Sequence, residues 1–149
     1  MEKPAGLPTE MTAAVTTAHG GPEVIEVRTD WPVPRAGAGE AVVEVAAAAV
    51  NNTDIWSREG AYGAPGNAEA VAGWRGVPLD FPLIQGIDIT GTVVEVGSPA
   101  DRHLVGRRVL VDPVIRYQSG FPVEIAGSEA DGAFAQYHCS SIDRLHDVT

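Results

Sequence analysis

Cysteine is nearly missing from this sequence: Cys139 is the single one among 149 residues. A lone cysteine cannot form a disulfide within the chain or supply an all-cysteine zinc site, so a reducing cytoplasm is the expected compartment. The opening residues lack the apolar core of a signal peptide. No apolar run approaches the roughly 18 to 20 residues that a bilayer-spanning helix requires. We therefore expect a cytoplasmic protein with no membrane partner.

Basic side chains are also scarce. Lys and Arg together number 10 against 20 Asp and Glu, which gives a formal net charge of −10. The basic residues are scattered singly, and Arg107 and Arg108 form the only adjacent pair. Since binding of nucleic-acid phosphates or anionic lipids requires clustered Lys and Arg, the composition argues against both kinds of partner.

The chain has enough apolar material for one domain. Its 149 residues with 44% hydrophobic content suffice for a single core and fall short of two ordinary domains. Residues 1–10 carry two prolines and a glycine with almost no apolar periodicity, so we predict a flexible tail there. Residues 11–149 are predicted to form the folded domain.

Most of the domain is predicted to consist of short strands separated by glycine and proline turns. In residues 40–49 apolar and acidic side chains alternate, which indicates a strand with one buried face. Gly91 interrupts another apolar stretch and predicts a bulge or a sharp bend. The first two strands are predicted to form a hairpin around a turn that leaves His19 on the surface. The predicted strands are residues 12–17, 23–28, 40–49, 87–96, 105–112 and 132–140. Such spacing predicts a mainly β fold of the barrel type.

Little of the sequence favours a helix. Residues 52–58 are the convincing helical segment of the first half, and an Asn or Thr is in position to cap it. Residues 60–78, rich in Gly, Ala and Pro, are predicted to form a long surface loop of the kind that often lies over a functional site. Residues 113–132 are predicted to form a second irregular loop. His138 and Cys139 are not expected to form a metal or redox pair, because adjacent side chains on a strand point to opposite faces.

A series of short motifs runs from about residue 11 to the end of the chain. They are His19-Gly-Gly-Pro-Glu-Val, residues 34–45, Val50-Asn-Asn-Thr-Asp, Gly86-Ile-Asp-Ile-Thr-Gly, Val94-Glu-Val-Gly, Gly106-Arg-Arg-Val and Gly132-Ala-Phe-Ala-Gln-Tyr. In this order they resemble the GroES-like first domain of the medium-chain dehydrogenase/reductase superfamily. The resemblance implies a mainly β, GroES-like, partly open β-barrel with short helices and long loops.

The same resemblance implies that zinc is absent. Zinc-dependent members have a cysteine at the position of Asn51 and a histidine at that of Ile87, because zinc prefers thiolate and imidazole ligands. The loop after Asp112, where many zinc members carry four cysteines, contains none. The sequence therefore resembles the zinc-independent branch of quinone oxidoreductases and enoyl reductases, and no metal ligand is predicted.

In that branch the resemblance implies a site beside the nicotinamide end of NADPH. Asn51 and Thr53 are the catalytic candidates, which would orient a carbonyl or the nicotinamide ribose. The cofactor-facing positions are Asn51, Asp54, Trp56, Arg58 and Tyr62. The family usually has Tyr at the position of Trp56, so an aromatic ring is kept and its hydroxyl is lost. The implied reaction is hydride transfer from NADPH to a small-molecule quinone or to the β-carbon of an α,β-unsaturated carbonyl.

Simpler explanations are available for the same residues. Asn51 and Asp54 also suit a local turn, since both side chains bond nearby backbone groups. Trp56 and Tyr62 also suit ordinary packing. Asp88, beside the position of the missing zinc histidine, is predicted to be a structural carboxylate.

Three hypotheses for function follow from these observations. The first is the substrate-side domain of a zinc-independent, NAD(P)H-dependent oxidoreductase. Because the family holds its cofactor on a Rossmann domain that is absent from these residues, the chain alone is expected to be inactive. The second is a stand-alone GroES-like module for binding or assembly, which would cover its apolar face with a partner or with a second copy in a homodimer. The third is a zinc-type alcohol dehydrogenase domain with altered ligands.

Overall fold

The computed structural model describes residues 6–149 of the chain. Within them the polypeptide forms ten strands, one α-helix, α1 (Asn52–Glu59), and three short 3-10 turns. No helix in this part of the chain combines the length and apolar character needed to cross a bilayer. The strands are β1 (Glu10–Thr16), β2 (Ile25–Pro32), β3 (Glu40–Ala47), β4 (Leu83–Ile84), β5 (Ile89–Val96), β6 (Arg108–Val111), β7 (Val114–Gln118), β8 (Phe121–Ile125), β9 (Tyr137–Ser141) and β10 (Leu145–Asp147).

The strands form three antiparallel sheets. A five-stranded sheet has the order β10-β6-β5-β3-β9, and a three-stranded sheet has the order β2-β1-β4. The remaining strands, β7 and β8, pair with each other. The sheets do not close on one another into a complete barrel. The predicted fold class, a mainly β and partly open barrel, is confirmed.

Backbone hydrogen bonds from the segment before β9 join the two larger sheets. The amide of Ala14 in β1 donates to the carbonyl of Phe134 (2.8 Å), and the carbonyl of Gln136 accepts from the amide of Val45 in β3 (2.9 Å). Two groups of buried apolar side chains stabilise the fold by removing their surface from water. The larger group is Ala41, Val43, Ile89, Val93, Val109, Val111, Ala126 and Ala133, and the smaller is Met11, Ala13, Val15, Val33 and Ile84.

β3 is buried more completely than its alternating pattern predicts. Ala41 and Val43, on the predicted apolar face, are fully buried. Val42 lies on the face that carries Glu40 and Glu44, and it is fully buried as well. The prediction of a single buried face is therefore wrong at Val42. β3 lies between β5 and β9 in the sheet, and the middle of such a strand can be covered on both sides.

Gly91 marks a close approach between β5 and β3. The register of the two strands shifts between Val45 and Ala47, so the extra residue Ala46 bulges from β3 opposite Gly91. The predicted irregularity is confirmed, although the inserted residue belongs to the partner strand. A Cβ atom at Gly91 would collide with the carbonyl oxygen of Glu44, which explains why only glycine suits this position.

The predicted loop at residues 113–132 is wrong in part. β7 and β8 form an antiparallel hairpin there, with its turn at Ser119 and Gly120. Both turn residues have positive φ, 52° and 81°, which matches the right-handed twist of a two-residue hairpin. The sequence carries a signal for it, since residues 114–118 contain Val, Ile and Tyr directly before the Ser-Gly pair.

Several element ends differ from their predicted positions. β1 begins at Glu10, and the carbonyl oxygen of Pro8 accepts a hydrogen bond from the Arg35 guanidinium (3.2 Å). These contacts fall inside the predicted tail, whose first five residues lie outside the described part of the chain. The strands predicted to start at residues 105 and 132 begin at Arg108 and Tyr137. A turn precedes the first, and a bent segment with one isolated bridge, at Ala135, precedes the second.

His138 on β9 is a buried, neutral histidine. Only 4% of its surface is exposed. Its Nδ1 lies 3.2 Å from the carbonyl oxygen of Gly132, so this nitrogen carries a proton and donates it. Burial lowers the pKa of the imidazole to about 4, and the charge of Arg144 acts in the same direction. Burial and then the charge of Glu40 raise the pKa of the Cys139 thiol to about 11, so neither side chain is suited to chemistry near neutral pH.

The stability of the fold should decrease as the pH falls through the range in which a free histidine gains its proton. The imidazole has a pKa near 6.5 in the unfolded chain and about 4 in the folded one, so protons favour the unfolded chain below about pH 6.5. We expect this single group to remove about 2 to 3 kcal/mol of unfolding free energy between about pH 7 and pH 4.5. Denaturant titrations across that range would measure the loss.

His138→Asn is the matched control, because its side-chain amide keeps a donor for the Gly132 carbonyl and removes the titration. Carboxyl groups titrate alike in both proteins, so the difference between the two pH profiles isolates His138. Parallel profiles would contradict a folded-state pKa near 4.

Candidate functional site

The helix predicted after β3 is confirmed as α1, and its first turn carries the candidate residues. Asn51 occupies the N-cap position with extended φ and ψ of −104° and 158°. Oδ2 of Asp54 accepts a hydrogen bond from the Asn51 amide (2.8 Å), as in the carboxylate half of a capping box. Gly60 ends the helix in a left-handed conformation with φ of 71°. These end residues fix where α1 begins and ends.

Asp54 is the buried centre of the site. It is 3% exposed, and its Oδ1 accepts from the amide of Gly86 (3.2 Å). Its own carbonyl oxygen accepts from the side-chain amide of Gln85 (2.9 Å). Burial raises the pKa of the Asp54 carboxyl, and the hydrogen bonds from Asn51 and Gly86 oppose that shift. Asp54 thereby ties α1 to the turn that precedes β5.

That turn brings Asp88 to Asn51, 37 positions earlier in the chain. Nδ2 of Asn51 lies 2.6 Å from Oδ2 of Asp88. The hydrogen bond is charge-assisted, which makes it stronger than one between neutral groups. Asn51 is half-buried, whereas Asp88 is exposed. Describing Asp88 as a structural carboxylate is thus incomplete, since it holds a candidate catalytic side chain.

Three of the predicted site residues lie together on the exposed side of α1. The Tyr62 hydroxyl donates to Oγ1 of Thr53 (3.2 Å). The rings of Trp56 and Tyr62 meet edge to face, with centroids 6.0 Å apart and an interplanar angle of 78°. Trp56 is 48% exposed and Tyr62 38%. An exposed ring pair beside two hydroxyl groups can receive a flat molecule and hydrogen-bond its polar substituent.

The loop after α1 is anchored at several points, which fixes Tyr62. The amide of Tyr62 donates to the carbonyl of Ala72 (3.3 Å). Further along, the indole N–H of Trp74 donates to the hydroxyl of Ser128 (2.9 Å). The prediction that residues 60–78 form a long loop is confirmed, because they contain no regular helix or strand.

Arg58 points inward, away from the exposed ring pair. It is 8% exposed, and its Nε donates to the carbonyl of Gly20 (3.0 Å). Nδ1 of His19 lies 3.0 Å from the carbonyl oxygen of Arg58, and the amide of Leu79 donates to Nε2 of His19 (3.1 Å). The prediction of a surface position for His19 is therefore wrong in part, since the ring is partly buried and bridges α1 and the end of the long loop. The glycine and proline around it signal a turn and give no sign of these distant partners.

Most of the chain, including α1, matches a known protein family. Residues 37–149 match the alcohol dehydrogenase GroES-like domain family, part of the medium-chain dehydrogenase/reductase superfamily. The chain belongs to this family. It is 33% identical over 133 residues to the chloroplastic NADPH-dependent alkenal/one oxidoreductase of Arabidopsis thaliana, covering 89% of this chain and 30% of that protein. It is 30% identical over 105 residues to the quinone oxidoreductase of Homo sapiens, covering 70% of this chain and 28% of that protein.

Solved structures agree with this assignment. A crystal structure from Sinorhizobium meliloti 1021, assigned as an alcohol dehydrogenase, superposes with a TM-score of 0.88 at 41% identity. The match covers 95% of this chain and 41% of that one. An NAD-dependent alcohol dehydrogenase superposes with a TM-score of 0.69 at 31% identity, covering 92% and 39%. The GroES-like resemblance is confirmed, and the chain spans less than half the length of these relatives.

Replacing Asp54 by Asn should destabilise the domain by about 1 to 3 kcal/mol. The variant keeps the size of the side chain but converts one acceptor oxygen into a donor, which would face the amide of either Asn51 or Gly86. Urea unfolding would measure the loss. The exposed Asp80→Asn is the control and should change the unfolding free energy by less than about 0.5 kcal/mol. Equal effects of the two substitutions would contradict the role assigned to Asp54.

Proposed function

We propose that this chain is the substrate-side domain of a cytoplasmic, zinc-independent oxidoreductase that uses NADPH to reduce quinones or α,β-unsaturated carbonyls. The observation that carries the proposal is the cluster of Thr53 and Trp56 on α1 with Tyr62 of the following loop, in which both aromatic rings are exposed. Alkenals, enones and quinones all place a carbonyl oxygen on a flat conjugated system, which suits a ring pair beside two hydroxyl groups. The names of the relatives in Arabidopsis thaliana and Homo sapiens support the same substrate class.

In this proposal Thr53 holds the carbonyl oxygen of the substrate. Because Tyr62 donates to Oγ1 of Thr53, the Thr53 hydroxyl keeps its own proton for a reactant oxygen. A donor at that place stabilises the negative charge that develops on the oxygen during reduction. Trp56 lies against the flat part of the substrate or of the nicotinamide. NADPH, when bound, supplies the hydride, and water supplies the proton that completes the product.

The residues of α1 and of the loop around Tyr62 fit the nicotinamide end of NADPH and do not fit its phosphates. The uncharged side chains of Asn51, Trp56 and Tyr62 suit a ring and a ribose. Phosphates are bound by cationic side chains or by a glycine-rich helix N-terminus. The N-cap of α1 is Asn51 and not glycine, and Arg58 of this helix donates to the carbonyl of Gly20. We therefore place the phosphate site outside these residues. For the same reason we propose that the 149-residue chain alone does not oxidise NADPH.

Zinc independence is part of the proposal. At the two positions where zinc-dependent members have a cysteine and a histidine ligand, this chain has Asn51 and Ile87. An isoleucine side chain has no atom that can bind zinc. An asparagine can offer zinc only its neutral carboxamide oxygen, which is a weaker ligand for this metal than the thiolate it replaces. Across residues 6–149 no three His, Cys, Asp or Glu side chains come together as a metal site would require. These observations favour a reaction in which hydroxyl groups, and no metal ion, hold the carbonyl oxygen.

The protein as the cell makes it should oxidise NADPH when a quinone or an enone is added. Thr53→Ala and Tyr62→Phe should each lower kcat by about 10- to 100-fold, because each removes a donor that acts on the developing charge. Tyr117→Phe, at an exposed tyrosine of β7, is the matched control and should leave kcat unchanged. Initial rates from the loss of NADPH absorbance would measure all three.

Two outcomes would contradict the proposal. Loss of activity on chelation, with recovery on addition of zinc, would favour the zinc-type alternative. A purified natural protein with an intact mass near 15.6 kDa that self-associates and turns over no NADPH would favour the assembly module, whose apolar face would include Trp56 and Tyr62.

A further inference from the structure

Asp88 determines which atoms of Asn51 stay available to a ligand. A carboxylate only accepts hydrogen bonds, so the Asn51 atom 2.6 Å from Oδ2 of Asp88 must be the amide nitrogen. The reversed carboxamide would set its oxygen against a carboxylate oxygen, and the two would repel. One N–H of Asn51 is therefore engaged with Asp88, while its Oδ1 faces the backbone amide of Asp54 at the start of α1 and keeps a second lone pair for a further donor.

The surrounding structure anchors both ends of this hydrogen bond. Asp54 accepts from the backbone amide of Asn51 and from the amide of Gly86, two residues before Asp88. Asp88 lies beside the N-terminus of α1, where a negative charge is favourable. Both partners are thus tied to the same buried carboxylate, which limits how far the Asn51 carboxamide can turn.

We propose that Asp88 is a positioning residue that fixes the Asn51 carboxamide with its oxygen presented to a hydroxyl or N–H donor of the cofactor, such as a ribose hydroxyl next to the nicotinamide. This inference rests on the proposed function. It separates two tasks within the site: Asn51 accepts from the cofactor, and Thr53 donates to the carbonyl oxygen of the substrate.

The orientation is measurable in the chain without a ligand. The two carboxamide protons of Asn51 should give well-separated NMR signals, since only one of them is bonded to a carboxylate. Asp88→Asn should narrow this separation toward that of an exposed asparagine side chain, because an amide at position 88 can accept or donate and no longer fixes its neighbour. The exposed Asp80→Asn should leave them unchanged. A separation that is as wide in Asp88→Asn as in the unmodified chain would overturn the inference.

The positioning role is measurable in the NADPH-dependent reaction of the whole protein. Asp88→Asn should raise the KM for NADPH about 10-fold and change kcat and the KM for the quinone by less than about 2-fold. Removing a negative charge would by itself lower the KM for an anionic cofactor, so the expected direction separates positioning from simple electrostatics. Asn51→Asp should also raise that KM, because it sets two carboxylates side by side.

The double variant N51D/D88N is the decisive test. It exchanges the partners and restores an amide-to-carboxylate hydrogen bond that still leaves an acceptor oxygen at position 51. Its KM for NADPH should return to within about 3-fold of the unmodified protein. No recovery, or a loss confined to kcat, would overturn the positioning role. Absence of NADPH turnover in the unmodified protein would instead contradict the proposed function, and the NMR signals would still decide the orientation.

Discussion

The buried carboxylate of Asp54 is the constraint on which the site depends. A carboxylate removed from water is tolerated only where other groups replace its hydration. Here the replacements include two backbone amides, those of Asn51 and Gly86, which are far apart in sequence. Neither can move away without leaving the carboxylate unsatisfied in the interior. The start of α1 and the turn before β5 are therefore held as one unit, and the contact between Asn51 and Asp88 follows from it.

The helix presents polar residues on its buried side as well as on its exposed side. Its buried residues are Asp54, Ser57 and Arg58, at the three- and four-residue spacing of one helical face. Asp54 and Arg58 are bonded to backbone groups of neighbouring segments, so their role is to hold α1 in place. The opposite side is left to Thr53 and Trp56, which are accessible to a ligand. The residues of one short helix thus serve two purposes: one side holds the helix in place, and the other can contact a ligand.

The local sequence pattern was sufficient to predict the strands whose two faces differ in polarity, the helix α1 and the hairpin of β1 and β2. The pattern failed where burial depends on the assembled sheet. Val42 lies on the same face of β3 as two glutamates, so the pattern predicts exposure, yet it is fully buried. The hairpin of β7 and β8 was not predicted, because Pro113 and Pro122 favour a loop when only composition is considered.

The candidate site was predictable as a set of residues and not as an arrangement. The motif that begins at Val50 contains the candidate residues of α1, yet the buried face of α1 is polar, so apolar periodicity could not tell Asp54 and Arg58 from Thr53 and Trp56. The partners Gln85 and Asp88 come from a turn more than 30 positions away, and only tertiary structure brings them near.

Amide hydrogen exchange of the native chain tests the central claim most directly. The amides of Asn51 and Gly86 lie outside the regular strands and helix, and both donate to the Asp54 carboxylate. We expect them to exchange as slowly as amides in the core strands, since their opening would expose a buried charge. The exposed turn amide of Gly120 should exchange rapidly by comparison. If Asn51 and Gly86 exchange as fast as Gly120, the carboxylate of Asp54 does not hold the site together.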